Sequence, residues 1–89
     1  MTDRVDSEEF AATMRGLAGH YGDRLDDGER RFVASAAGAG EWVEALEQLA
    51  AGLGRQSAAI TAEERKELVE LFRASGADLT VLDGVTVRS

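Results

Sequence analysis

The chain has 89 residues, with 17 acidic and 10 basic side chains, a formal net charge of −7 and no cysteine. This length predicts one small domain with a modest core, and the lack of cysteine excludes disulfides and thiol chemistry. The acidic balance disfavours nucleic acid and anionic membranes, which are bound through clustered Lys and Arg. A basic protein is the electrostatically suitable partner, and a charge that only maintains solubility is the alternative.

Nothing in the sequence indicates export or membrane insertion. No apolar run approaches the roughly 20 residues that span a bilayer, and the start, MTDRVDSEEF, lacks the charged-then-apolar order of a signal peptide. We therefore expect a cytoplasmic protein. No cofactor is expected either, because the single histidine has no metal-ligand spacing around it.

The first predicted helix covers about residues 8–20 and follows a frayed N-terminus at residues 1–6. Ser7 is the expected N-cap, with two glutamates in the first turn, where they complement the helix dipole. Gly22 is the expected stop. Apolar residues recur at helical spacing along one side: Phe10, Met14, Leu17 and Tyr21.

The second predicted helix begins at a cluster of three aspartates, Asp23, Asp26 and Asp27. Asp26 and Glu29 have the spacing of a capping box, and Gly38 is expected to end the helix. Gly38-Ala39-Gly40 then forms a tight link to the third helix. The expected inward-facing residues are Leu25, Phe32, Val33 and Ala36.

The third predicted helix, EWVEALEQLAAGL at residues 41–53, is the centre of the expected fold. Gly54 is its expected end. The apolar stripe consists of Trp42, Ala45, Leu46, Leu49, Ala50 and Leu53. Trp42 suits either the core or an interface anchor. The opposite side of the helix carries Glu41, Glu44 and Glu47, each three residues after the last.

The fourth predicted helix begins at a second capping box, formed by Thr61 and Glu64, and ends at Gly76. Leu68, Val69, Leu71 and Phe72 are its expected buried residues. Charged residues on the solvated side have the spacing of weak ion pairs, namely Glu63 with Lys66, Lys66 with Glu70, and Glu70 with Arg73.

The tail at residues 77–89 changes period. Two short apolar stretches flank Asp83-Gly84, the two-residue signal for a type I′ hairpin; an extended tail with a simple turn is the alternative. The sequence therefore predicts a mainly α protein, a single small domain over residues 1–89. We expect about four antiparallel helices and a short C-terminal β-hairpin.

No constellation of residues indicates catalysis, and we expect this chain not to be an enzyme. His20 is interpreted as a helix-end histidine interacting with carbonyl groups or the helix dipole. None of the serines lies in a nucleophile-elbow context. A domain of this size also seldom encloses a large concave pocket.

Residues 25–76, which include GEWVEALEQLAAGLGRQSAAITAEERKELVELFRASG, resemble the helical core of small bacterial immunity proteins of the MafI type. Gly40-Glu41, the helix with Ala45-Leu46 and Leu49, and the following Thr-capped helix with paired glutamates carry the resemblance. It implies a cytosolic protein that protects its producer by binding one cognate toxin domain, often a nuclease. It implies no catalytic residues.

The functional prediction is therefore an immunity protein that neutralises a toxin domain with a basic surface. An acidic helical adaptor that masks a basic regulatory protein is the alternative. We expect a monomer or weak dimer that binds neither nucleic acid nor membrane. The predicted partner-binding surface consists of Asp23, Asp26, Asp27, Glu41, Glu44 and Glu47.

Overall fold

The computed structural model describes residues 8–88. Four α-helices form most of it: α1 (Glu8–His20), α2 (Asp27–Gly38), α3 (Trp42–Arg55) and α4 (Ala62–Ser75). Short 3₁₀ segments occur at Gly22–Arg24 and Leu79–Gly84, and two strands, β1 (Ala59–Thr61) and β2 (Thr86–Arg88), complete the fold. The prediction of a mainly α protein with four helices is confirmed. The predicted frayed end at residues 1–6 and the Ser7 cap lie outside the described residues.

Both predicted capping boxes are present. The Asp26 carboxylate accepts from the Glu29 N–H at 2.7 Å, and the Glu29 carboxylate accepts from the Asp26 N–H at 2.9 Å. Thr61 and Glu64 make the same reciprocal pair at 3.0 and 2.8 Å. Each box satisfies two backbone donors that a helix start leaves without a partner. These local bonds fix where α2 and α4 begin.

Helix ends agree less closely with the sequence prediction. Gly76 ends α4 in the left-handed conformation, with φ +79°, as expected. By contrast, α3 continues past Gly54 to Arg55, and Ser57 takes the positive φ, 51°, that turns the chain toward β1. Gly22 lies one residue after Tyr21 in a 3₁₀ turn rather than in a left-handed cap.

Helix α3 lies at the centre of the hydrophobic core and contacts α1, α2, α4 and the segment Leu79–Gly84. Its apolar stripe is buried as predicted except at Trp42, which is partly buried at the edge of the core. The Trp42 ring makes an edge-to-face contact with Phe10, with centroids 5.6 Å apart. Trp42 therefore joins the start of α3 to the first turn of α1.

Phe32 does not face inward, and this prediction is wrong. Its side chain is 47% exposed, whereas Val33, Ala36 and Ala37 form the buried side of α2. The small alanines let α3 approach α2 closely, so the buried arc of α2 is narrow and leaves no room for the Phe32 ring. Leu25 and Val69, also expected inside, are partly buried against the core.

The predicted C-terminal hairpin is absent, and residues 77–88 are not an extended tail either. The Asp78 carboxylate accepts from the Thr80 N–H at 3.0 Å and starts the 3₁₀ segment Leu79–Gly84, which buries Leu82. Gly84 lacks the positive φ that a type I′ turn requires. Burial of Leu82 and Val85 against the helices outweighs the local turn signal.

Strand β2 instead pairs with β1, in parallel, with Ile60 opposite Val87. The connection between them contains α4, as the handedness-restricted crossovers of parallel strands require. Ile60 is fully buried, so the small sheet closes one end of the core. Within residues 8–88, no helix combines the length and the apolar character needed to cross a bilayer.

Two glycines give a matched test of the backbone geometry. At Gly76, φ is +79°, so Gly76→Ala should lower the free energy of unfolding by about 1 kcal/mol. Gly16 lies within α1 with open space around its Cα, so Gly16→Ala should raise it by about 0.5–1 kcal/mol. Urea unfolding of both variants measures the two changes; an equal sign for both would contradict this assignment.

Candidate protein-interaction surfaces

The structure separates the six predicted partner-binding acids into two groups. Near the start of α2, the Glu29 carboxylate accepts hydrogen bonds from Arg55, at 2.9 Å, and from Gln56, at 3.1 Å. The start of α2 therefore lies beside the end of α3, and the two helices are antiparallel. Given the rise of a 12-residue helix, the two groups lie about 18 Å apart. Asp23, Asp26 and Asp27 are at one end of the pair, and Glu41 and Glu44 are at the other.

The aspartate end is internally compensated. Asp27 accepts a hydrogen bond from Arg30 at 2.8 Å, and the Asp26 carboxylate is occupied by the α2 capping box. The neighbouring Glu29 pairs with Arg55, and its pKa is lowered, first by the Asp26 N–H and then by Arg55 and Gln56. Only Asp23, within the described residues, has neither an ion pair nor a capping role. This end is consequently a weaker attraction for a basic partner than its acid count indicates.

Glu47 has a structural contact. Its carboxylate accepts a hydrogen bond from the backbone N–H of Asp78 at 2.9 Å. This bond ties the middle of α3 to the residue that starts the segment Leu79–Gly84. A substitution at Glu47 would therefore change the attachment of the C-terminal segment as well as the surface charge.

Glu41 and Glu44 are exposed and make no ion pair or hydrogen bond with any side chain of residues 8–88. A Cβ at Gly52 would lie 3.0 Å from Leu25, so the Gly52 side of α3 faces α2. Around the helix, Glu41 and Glu44 lie within about 80° of Gly52, on the solvent side. They therefore line the outer edge of the contact between α2 and α3.

Phe32 lies on the matching edge of α2. It is displaced by about 60° around the helix from Glu29, which contacts α3, and it points away from the core. Its α2 neighbours on that side, Ser35 and Ala39, are small and exposed, so the ring stands above its surroundings. We name this surface the α2–α3 outer face: Phe32, Glu41, Glu44 and Gln48.

The α2–α3 outer face has the composition of a protein-binding surface. Aromatic side chains are enriched among the residues that contribute most to binding energy, and charged residues surround them at the rim. Here one exposed aromatic ring is bordered by carboxylates that no described cation neutralises. Sequence reasoning missed the ring because Phe32 fits the helical stripe of α2 as well as the buried residues do.

A second charged cluster joins α1 to α4, and its geometry was not predicted. The Glu64 carboxylate accepts two hydrogen bonds from Arg24, at 2.8 and 2.9 Å, and lies 2.7 Å from Nε2 of His20. Arg24 and the Thr61 cap hold the pKa of Glu64 far below its usual range. His20 is thus held beside a carboxylate of α4 rather than by the carbonyls or dipole of its own helix.

Tyr21 lies beneath this cluster. Its side chain is fully buried, and the Arg24 guanidinium lies 4.7 Å from the ring centroid. The Tyr21 hydroxyl has no hydrogen-bond partner within residues 8–88, and burial raises its pKa. Because Arg24 covers the ring and binds Glu64 at the same time, the cluster acts as a structural clamp between the end of α1 and the start of α4.

The described part of the chain contains no group of three or more His, Asp or Glu side chains placed to hold a metal ion. Open grooves, rather than an enclosed cavity, border α4. No protein-family model matches the chain, and no curated protein or solved structure matches it.

Proposed function

We propose that this chain is an immunity protein, which acts in the cytosol of a bacterial producer by binding one cognate toxin domain. The observation that carries the proposal is the α2–α3 outer face, where Phe32 is 47% exposed beside the unneutralised carboxylates of Glu41 and Glu44. The net charge of −7 and the resemblance of residues 25–76 to MafI-type proteins support it.

The two kinds of side chain would have different roles in binding. Carboxylates attract a basic surface before contact and raise the association rate, whereas a buried aromatic anchor mainly slows dissociation. A nuclease toxin suits this arrangement because its active-site cleft must attract phosphates and is therefore basic. The proposal assigns Glu41 and Glu44 to the encounter and Phe32 to the lifetime of the complex.

Co-expression with the large protein encoded immediately upstream tests the function directly. Cells that express the upstream protein alone should stop growing, and cells that also express this chain should grow. Growth arrest that this chain does not relieve would contradict the immunity function. If the upstream protein is a basic regulator that this chain binds without any effect on toxicity, the adaptor alternative is favoured instead.

Binding kinetics with the purified toxin domain test the surface. Reversing two charges, Glu41→Lys with Glu44→Lys, should slow association at least about tenfold at low salt and flatten its salt dependence. The melting temperature should change little, because both side chains are exposed and unpaired. Glu47 is left unchanged because it binds the Asp78 N–H.

The matched control reverses two exposed glutamates of α4, Glu63→Lys with Glu67→Lys, and alters the net charge equally. Phe32→Ala should accelerate dissociation about tenfold or more without slowing association. If the α4 control slows association as much as the α3 reversal, attraction depends on net charge alone and the assigned face is wrong.

A further inference from the structure

A groove between α4 and β2 has the opposite charge to the rest of the molecule. It is open, with a volume of about 380 Å³. Its cationic residues are Arg65, Lys66 and Arg73, and Glu70 is its single carboxylate, which gives a local net charge of +2 in a chain of −7. Ala62, Val69 and Val87 supply an apolar floor.

The cations of this groove are available for a partner. The sequence predicts ion pairs of Lys66 with Glu63 and Glu70, and of Glu70 with Arg73, but none of these pairs forms. Arg65 likewise has no carboxylate within ion-pair distance among residues 8–88. Three cations along one helix side repel one another, so an anionic ligand would relieve this repulsion.

The wall of the groove is an exposed strand edge. All three residues of β2 are exposed, and within residues 8–88 the strand pairs only with β1, which leaves its other edge open. Val87 is 41% exposed and lines the groove opposite Val69. An extended peptide can add to such an edge through backbone hydrogen bonds, while its side chains reach pockets on the neighbouring surface.

We infer that this α4–β2 groove binds an extended acidic segment of a partner protein, which adds as a third strand to the open edge of β2. The segment's carboxylates would pair with Arg65, Lys66 and Arg73, and its apolar side chains would pack on Val69 and Val87. From Ala62 to Arg73 the groove extends about 16 Å along α4, the length of about five residues of extended chain. This inference does not depend on the proposed toxin binding, which uses a different surface of opposite charge.

Titration with synthetic peptides tests the inference. The probe is an eight-residue peptide with alternating Asp and Val (about one and a half times the groove length), and the control peptide replaces every Asp by Lys. The Asp peptide should bind with a dissociation constant below about 1 mM, weaken as salt is added, and shift the NMR signals of the Thr86–Arg88 amides. The Lys peptide should bind at least about tenfold more weakly. Absence of binding by the Asp peptide, or equal binding by the two peptides, overturns the inference.

Variants locate the binding. Arg65→Glu with Arg73→Glu should weaken binding of the Asp peptide at least about tenfold, whereas Arg15→Glu with Arg31→Glu, two exposed arginines of α1 and α2, should weaken it less than about threefold. Circular dichroism confirms that each variant is folded. Equal losses in both variants would mean attraction by net charge, and would overturn the assignment to the groove.

The mode of binding is tested on the unmodified chain, so that it does not depend on any variant folding. An Asp peptide with alternate backbone nitrogens methylated cannot donate along one of its edges. Methylation in the two alternate registers should weaken binding at least about tenfold in one register. Undiminished binding in both registers would overturn strand addition to β2.

Discussion

Leu49→Ala is expected to lower the free energy of unfolding by about 2–4 kcal/mol. Leu49 is fully buried in the middle of α3, the helix that contacts every other helix and the segment Leu79–Gly84. Truncation removes about three methylene equivalents of burial and leaves a cavity that four surrounding elements cannot all move to fill. A domain of 89 residues has a total stability of roughly 5–13 kcal/mol, so this change removes a large fraction of it.

Thermal and urea unfolding measure this effect, with Val43→Ala as the control on the same helix. Val43 is 39% exposed, so its truncation should cost less than about 1 kcal/mol. The melting temperature of Leu49→Ala should fall by roughly 10–25 °C. A cost below about half a kcal/mol would show that the α3 stripe does not form the core.

Glu64→Ala is expected to lower the free energy of unfolding by about 2–3 kcal/mol at pH 7, because two stabilising arrangements share this carboxylate. It completes the capping box of α4, an interaction of about 1 kcal/mol. It also accepts two charge-assisted hydrogen bonds from Arg24, whose guanidinium would otherwise be partly buried without a partner. Glu64→Gln should lose less, because glutamine can still complete the box.

The same carboxylate predicts how stability changes with pH. The folded state lowers the pKa of Glu64 far below the unfolded value of about 4.3, so its contribution is complete above pH 5 and is lost as the pH falls below that range. The free energy of unfolding of Glu64→Gln should therefore fall less between pH 7 and pH 3 than that of the unchanged chain. Glu63→Ala is the control, an exposed first-turn glutamate without an ion pair. An acid dependence identical to that of the unchanged chain would remove Glu64 from this role.

Interactions within one turn of helix were predictable from the sequence, and interactions between distant elements were not. The capping boxes of Asp26 and Thr61 each depend on residues three positions apart, so their spacing is visible in the chain. Glu64 and Arg24 are 40 residues apart, and only the packing of α1 against the start of α4 brings them together. The hairpin prediction failed for the same reason, because the partner of residues 86–88 is β1.

The candidate surface shows the same division. The spacing of Glu41 and Glu44 correctly predicted that they point away from the core. The antiparallel arrangement of α2 and α3, which the short link favours, then determines that these glutamates lie far from Asp26 and Asp27. Phe32 could not be assigned to the surface from α2 alone, since the width of its buried arc depends on how closely α3 approaches.

The parallel pairing of β1 with β2 also imposes an order of events during synthesis. Ala59 and its partner Thr86 are 27 residues apart in the chain. At a translation rate of about 5–20 residues per second, β1 is made roughly one to five seconds before the strand that pairs with it. During that interval its backbone donors and acceptors are open to other nascent chains. Because β1 contains only three residues, this temporary edge offers few hydrogen bonds to a neighbouring chain, and the brevity of the strand is itself a protection against aggregation.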